Sequence, residues 1–133
     1  MRKNRLHRSR GFTLIELLIV ISIILILVGM AAGNYRRTVV RAHEAVLKQD
    51  LVEMRKAIDN FTLDKQAAPQ SLDDLVPDYL RILPEDPMTH AKDWAPDIEP
   101  VVLSPDQAGT GITNVHSASD KVSPFEGTAY NTW

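Results

Sequence analysis

The feature that most constrains this chain is an apolar run over residues 12–33 that contains a single charged side chain, Glu16. A helix rises about 1.5 Å per residue, so the run would form a helix roughly 33 Å long. The hydrocarbon core of a bilayer is about 30 Å thick. We therefore predict one helical membrane span over residues 12–33.

The charges on the two sides of the apolar run are unequal. Residues 1–11 carry five basic and no acidic side chains, and residues 71–133 carry eleven acidic and three basic ones, although the net charge of the chain is only −2. A basic flank favours the cytoplasmic side of a membrane. The pattern predicts a topology signal joined to an acidic soluble domain, with a membrane as partner, and it argues against nucleic-acid binding.

The composition excludes several kinds of chemistry. The chain contains no cysteine, which rules out a disulfide framework, a thiolate nucleophile and a cysteine-ligated zinc site. The histidines are too widely spread for a His-x-x-x-His ligand pair, so imidazole-bound metal is not expected. They are His7, His43, His90 and His116.

A cluster near the C-terminus contains the residue types of a Ser-His-Asp triad: His116, Ser117, Ser119 and Asp120. Such a triad is recognised by geometry and not by adjacency in sequence. The chain has no Gly-x-Ser-x-Gly elbow and no phosphate-binding loop. We predict that the cluster is a surface loop, that there are no catalytic residues and that the protein is not an enzyme.

The junction between the basic leader and the apolar run is a single glycine, Gly11, which permits the extended backbone that a protease needs. Cleavage after Gly11 would give Phe12 a new α-amino group with an ordinary pKa of about 7.7–8.0. That amine would lie one helical turn from Glu16, so the two charges could pair. Pairing within one subunit would neutralise Glu16, whereas pairing with a neighbour's amine would also set the register between packed helices.

The alternative for the N-terminal segment is an ordinary signal peptide. Part of the run has the length of a signal-peptide core, and Ala31 with Gly33 forms a small-x-small cleavage site. The product would be a secreted or anchored periplasmic binding module.

Residues 11–17, Gly-Phe-Thr-Leu-Ile-Glu-Leu, resemble the leader site of type IV pilins and type II secretion pseudopilins. The resemblance implies cleavage between Gly11 and Phe12 by prepilin peptidase, N-methylation of Phe12, and a role for Glu16 in drawing the subunit into a filament. Many pilins have a proline before Asn-Tyr, but here Gly33 precedes Asn-Tyr. A helix break at this point would have to come from Gly33 and Gly29, which weaken a helix less than proline does.

Beyond the span, apolar residues recur at helical spacing and predict an amphipathic helix that ends between Lys65 and Pro69. The apolar stripe comprises Val40, Leu47, Leu51, Met54, Ile58 and Phe61. Charged residues between them, Glu44 and Arg55 among others, are predicted to face solvent. The C-terminal domain should cover the stripe.

The C-terminal part is predicted to contain a short helix and a hairpin. Ser71 should cap the short helix with Asp74 as its capping-box partner. The residues expected to contact the stripe are Leu72, Leu75, Tyr79, Leu80 and Leu83, and those expected in solvated loops are Asp73, Asp74, Asp78, Glu85 and Asp86. Strands are predicted over residues 100–104 and 112–117, followed by a short third strand that lays Tyr130 and Trp133 on the sheet.

The pattern from Pro69 through Trp94 to Trp133 resembles the G-type major pseudopilin family of type II secretion. The resemblance implies an α+β, pilin-like fold: a long N-terminal helix packed on a small antiparallel sheet with a short loop helix. Members bind calcium in an acidic C-terminal loop, whereas residues 114–127 here offer only Asp120 and Glu126 as carboxylates. Ca²⁺ takes six to eight oxygens, so these two are weak calcium candidates and no cofactor is expected.

The resulting expectation is a filament subunit in four segments: a leader over residues 1–11, a span over 12–33, an amphipathic helix over 34–64 and an acidic periplasmic domain over 65–133. The subunit would be the major pseudopilin of a type II or related secretion system, assembled from the inner membrane. Its expected partners are prepilin peptidase, further copies of itself, minor pseudopilins and the inner-membrane assembly platform. A type IV pilin for adhesion or motility is the alternative, although the tail lacks the cysteine pair of many such pilins.

Overall fold

The structure is a computed structural model that describes residues 11–104 and 107–133. Along the chain it contains helix α1 (Leu14–Lys65), a 3₁₀ helix (Leu72–Leu75), strands β1 (Ala95–Ser104) and β2 (Gln107–His116), and a second 3₁₀ helix (Tyr130–Thr132). One long helix and a small antiparallel sheet confirm the predicted α+β, pilin-like class. Apart from Gly11, the predicted basic leader lies outside the described residues.

The chain divides into two compact units, Met1–Thr38 and Val39–Trp133. In the first unit every residue from Gly11 onward is exposed. Its most apolar window has a mean hydropathy of 3.0, and its helix is long and apolar enough to cross a membrane. Gly29 and Gly33 lie within α1, and the described residues show no helix break at Gly33, because glycine keeps the backbone N–H that proline lacks.

In the second unit α1 supplies one side of the core. Leu47, Leu51, Met54 and Ile58 of the predicted stripe are each at most 2% exposed, while Val40 and Phe61 are half-buried. The helix ends at Lys65, within the predicted interval. The next residue, Gln66, has a φ of 52°, the left-handed conformation that commonly terminates helices.

The first 3₁₀ helix covers the stripe as predicted. Ser71 Oγ accepts a hydrogen bond from the Asp73 N–H at 3.2 Å, and the Asp74 carboxylate accepts one from the Ser71 N–H at 2.9 Å. These bonds form the expected capping box. Leu75 is fully buried in the core, and the partly buried residues packed around it include Leu72, Tyr79, Leu80 and Leu83.

The hairpin is longer than predicted, because residues 107–111 belong to β2 and not to a turn. Gly111 permits close packing, because a Cβ at this position would lie 2.5 Å from the Cβ of Ala68. β1 also begins earlier, at Ala95, and includes Pro96 and Pro100. A two-stranded sheet has a free edge on each strand, so the missing proline N–H groups are tolerated there.

The predicted third strand is wrong. Residues 130–132 form a 3₁₀ helix, and this segment makes only an isolated bridge between Val122 and Ala129 within the described residues. Tyr130 and Trp133 instead bond to side chains of α1: the Tyr130 hydroxyl to Glu44, and the Trp133 oxygen to Arg55. Such bonds direct the tail toward the helix.

Candidate processing and assembly site

The predicted processing residues lie immediately before α1. Gly11 is exposed, and the Phe12 side chain is 86% exposed. The Thr13 hydroxyl accepts a hydrogen bond from the Glu16 N–H at 3.2 Å, and the Thr13 carbonyl accepts one from the Leu17 N–H, also at 3.2 Å. Thr13 therefore caps the helix. It is missing from the sequence-based predictions, although Thr-x-x-Glu is the spacing of a capping box.

The cap fixes where the predicted processing and assembly residues lie relative to the helix. Because α1 begins at Leu14, the Gly11–Phe12 peptide bond is outside the helix, in exposed chain. Glu16 lies in the first turn, where the partial positive charge of the helix N-terminus favours a carboxylate. The junction thus combines an accessible peptide bond with an exposed acidic side chain one turn away.

A second polar site fastens the C-terminal segment to α1. Glu44 is only 6% exposed, and its Oε1 accepts hydrogen bonds from Ser123 Oγ at 2.6 Å and from the Tyr130 hydroxyl at 2.8 Å. Burial, followed by the hydrogen bond and charge of Glu44, raises the pKa of Tyr130 to about 12. The predicted solvated position of Glu44 is wrong, because position 44 lies one turn before Leu47 on the buried side of the helix.

Other side chains of α1 hold the same segment. Arg55 Nη2 donates to the carbonyl of Val115 at 3.0 Å and to the Trp133 oxygen at 2.6 Å, so the prediction of a solvated Arg55 is also wrong. Lys48 forms an ion pair with Glu126. The Lys48 ammonium also lies 4.6 Å from the ring centroid of Trp133. These contacts anchor the C-terminal segment at several points along α1.

Part of the predicted surface cluster is buried, and so is one of the predicted solvated acids, Asp86, while the other four acids are exposed. Asp86 and Ser117 are fully buried, and the Ser117 hydroxyl donates to the Asp86 carboxylate. Ser119 is 6% exposed. His116 contacts other residues: its Nε2 lies 2.9 Å from Asp97 Oδ2 and its Nδ1 2.5 Å from the Trp133 oxygen.

These positions correct two predictions. The prediction of a surface loop is wrong for every residue of the cluster except Asp120, which is exposed. The prediction that Asp86 is solvated is also wrong. Since Ser117 bonds to Asp86 and not to His116, the cluster does not form a Ser-His-Asp relay. Ser117 binds this segment to Asp86, and the Ser119 N–H donates to Ser117 Oγ at 3.1 Å.

The described residues form no group of three or more acidic or histidine side chains around either calcium candidate. Glu126 is paired with the Lys48 ammonium. Asp120 belongs to no group of three or more acidic or histidine residues that could hold a metal ion among residues 11–104 and 107–133. A Ca²⁺ ion needs six to eight oxygen ligands. Glu126, one of the two candidate carboxylates, is bound to a cationic side chain in place of a metal ion.

Comparison with known proteins agrees with the N-terminal geometry. Residues 6–32 match the family model of the prokaryotic N-terminal methylation motif. The chain is 32% identical over 121 residues to the type II secretion system core protein G of Klebsiella pneumoniae, covering 78% of this chain and 81% of that protein. It is 31% identical over 120 residues to the protein of the same name from Aeromonas hydrophila, covering 77% and 78% of the two chains.

A second group of relatives matches over a shorter length. The chain is 39% identical over 60 residues to the type IV major fimbrial protein FimA of Dichelobacter nodosus, covering 45% of this chain and 38% of that protein. No solved structure matches the chain significantly. The match to the secretion protein of Klebsiella pneumoniae therefore covers a larger share of this chain than the match to the fimbrial protein does.

Proposed function

Because the chain belongs to the family of type II secretion system core protein G, the major pseudopilins, we propose that it is cut between Gly11 and Phe12 and polymerises through its N-terminal helix. The observation that carries the proposal is the Thr13 cap. It starts α1 at Leu14, keeps the bond to be cut in exposed chain and puts Glu16 in the first turn.

Processing converts a neutral amide into a cation. Prepilin peptidase hydrolyses the Gly11–Phe12 bond, and the released Phe12 amine is then N-methylated. The five basic side chains of residues 1–11 leave with the leader, so the remaining chain has ten basic and seventeen acidic side chains. The topology signal is thereby removed, and the acidic character of the C-terminal unit dominates the mature subunit.

Assembly uses the new amine. A carboxylate within an apolar span is costly unless it is paired, and the Phe12 amine of a neighbouring copy supplies the opposite charge for Glu16. Before assembly, residues 12–33 lie in the inner membrane and residues 65–133 in the periplasm, connected by the amphipathic helix over 34–64. During extraction the exposed apolar side chains of residues 14–30 exchange lipid for neighbouring helices.

The subunit acts by assembly and not by catalysis. The peptidase supplies the covalent chemistry, and the inner-membrane assembly platform and minor pseudopilins organise the growing filament. The secretion role is favoured over a pilus for adhesion or motility, because the match to the fimbrial protein covers 45% of the chain and the match to the secretion protein covers 78%.

The test replaces Glu16 with leucine in the full-length chain. We expect the variant to insert and to be cut, with a mass that shows methylated Phe12, but to give no sheared filaments. Ser22→Ala is the matched control, since it removes a polar group from the same span whose only described bond is to its own helix, at 2.7 Å to the Leu18 carbonyl. Normal filament yield from Glu16→Leu would contradict the pairing, and a mature chain beginning at Asn34 would contradict the processing site.

A further inference from the structure

Two histidines that are far apart in sequence face each other in the C-terminal unit. His43 lies on α1 and His90 in the loop before β1, and their ring centroids are 6.0 Å apart with the ring planes at 83°. The two residues are 47 positions apart, which explains why ligand spacing along the sequence gives no sign of the pair. His43 is half-buried and His90 is exposed, so an ion in solution can reach them.

The loop that carries His90 is rigidly built around Asp86. The His90 N–H donates to the Asp86 carbonyl at 2.8 Å, and the Asp86 N–H donates to the Ala91 carbonyl at 2.9 Å. The Asp86 carboxylate accepts a bond from the Met88 N–H at 2.7 Å. Asp86 is itself fully buried. The loop therefore presents His90 at a fixed place over α1.

His90 also has an unusual backbone conformation. Its φ is 57°, a left-handed value that is uncommon for residues other than glycine and that persists only where the surrounding structure holds it. The hydrogen bonds around Asp86 impose it here. Residues in such conformations are concentrated at active sites and ligand sites. The imidazole of His90 is therefore a candidate ligand.

The ring separation suits a shared metal ion. A metal–nitrogen bond to histidine is about 2.0–2.1 Å long, so two imidazoles on one ion have centroids roughly 5–6.4 Å apart, from tetrahedral to linear geometry. The observed 6.0 Å lies within that range.

We propose that His43 and His90 form a two-imidazole site for a divalent transition-metal ion. Imidazole is a good ligand for zinc, copper and nickel, and Cu²⁺ binds most tightly among these ions. Within residues 11–104 and 107–133 no third histidine or carboxylate joins the pair, so water completes the coordination and the ion exchanges readily. The bound ion links the loop to α1. The site is independent of the proposed filament role.

The test titrates Cu²⁺ into the full-length protein in detergent and follows binding by calorimetry. We expect His43→Gln and His90→Gln each to weaken binding at least tenfold, because each removes one of two ligands. His116→Gln is the matched control: its ring is bonded to Asp97 and Trp133, so this variant should keep the affinity of the unaltered chain. Near-ultraviolet circular dichroism verifies that each variant is folded.

Pulsed electron paramagnetic resonance of the Cu²⁺ complex gives a second, direct measurement, since it counts coordinated imidazoles. Two are expected in the unaltered chain and in His116→Gln, and one in His43→Gln and in His90→Gln. A complex with one imidazole in the unaltered chain would overturn the proposal. Equal affinity in the unaltered chain and both site variants, or an equal loss in His116→Gln, would overturn it as well.

Discussion

Replacing Glu44 with alanine is expected to release the C-terminal segment from α1. The carboxylate is the shared acceptor for hydroxyl groups 79 and 86 residues further along the chain, those of Ser123 and Tyr130. The substitution leaves both hydroxyls without this acceptor in a buried site. It therefore tests whether Glu44 is a structural anchor or an incidental buried acid.

The expected loss follows from the two bonds. A hydrogen bond to a charged group contributes about 1.5–3 kcal/mol, and an unsatisfied buried partner adds its desolvation cost. We expect Glu44→Ala to lower the free energy of unfolding by about 3–5 kcal/mol, a large part of the 5–15 kcal/mol typical of a domain. Glu44→Gln keeps an accepting oxygen without the charge, so about 1–2 kcal/mol should be lost.

Urea unfolding of the full chain in detergent, followed by tryptophan fluorescence, measures these losses. Trp94 is 6% exposed in the core, so its emission reports on the C-terminal unit. The matched control is Glu53→Ala, which removes the same charge from an exposed position of α1 whose described bond is to Gln49, at 2.8 Å. The control should change stability by less than about 0.5 kcal/mol.

The reasoning is refuted if Glu44→Ala costs less than about 1 kcal/mol, or no more than Glu53→Ala. A double-mutant cycle with Ser123→Ala gives a further criterion, because residues that share a bond should couple by at least about 0.5 kcal/mol. Additive effects of the two substitutions would mean that the hydrogen bond contributes nothing to the free energy of unfolding.

Two further predictions concern packing and pH. Gly111→Ala should cost about 1–3 kcal/mol in the same urea assay, because its Cβ would lie 2.5 Å from the Ala68 Cβ, whereas Gly109→Ala, with nothing within 4 Å, should be nearly neutral. The free energy of unfolding should fall by roughly 2–3 kcal/mol as pH rises from 10 to about 12. The pKa of Tyr130 is raised from 10.0 to about 12 in the folded state. In this pH range the unfolded state therefore loses the Tyr130 proton while the folded state retains it. Tyr130→Phe should remove that part of the decline, and an unchanged decline would contradict the raised pKa of Tyr130.

Local features of the fold could be predicted because their determinants are contiguous. The apolar span, the helical stripe from Leu47 to Ile58 and the Ser71 capping box depend on residues within a few positions of one another. The Thr13 cap also depends on neighbouring residues, because Thr13 and Glu16 are three positions apart. The prediction of a third strand was wrong because the glycine, tyrosine and tryptophan of the tail indicate that small and aromatic residues pack there. These residue types do not indicate which surface they pack against.

The sequence by itself determined that this chain has one apolar run with a single carboxylate and an acidic C-terminal part, and it predicts a processing junction at Gly11, since these depend on spacing and composition. Only the tertiary structure decided which charged residues are solvated. Glu44 and Asp86 look like ordinary surface acids in sequence, but a carboxylate is buried or exposed according to what covers it, and the covering groups come from distant parts of the chain. The pairing of His43 with His90 has the same cause, because the fold and not the spacing brings the two rings together.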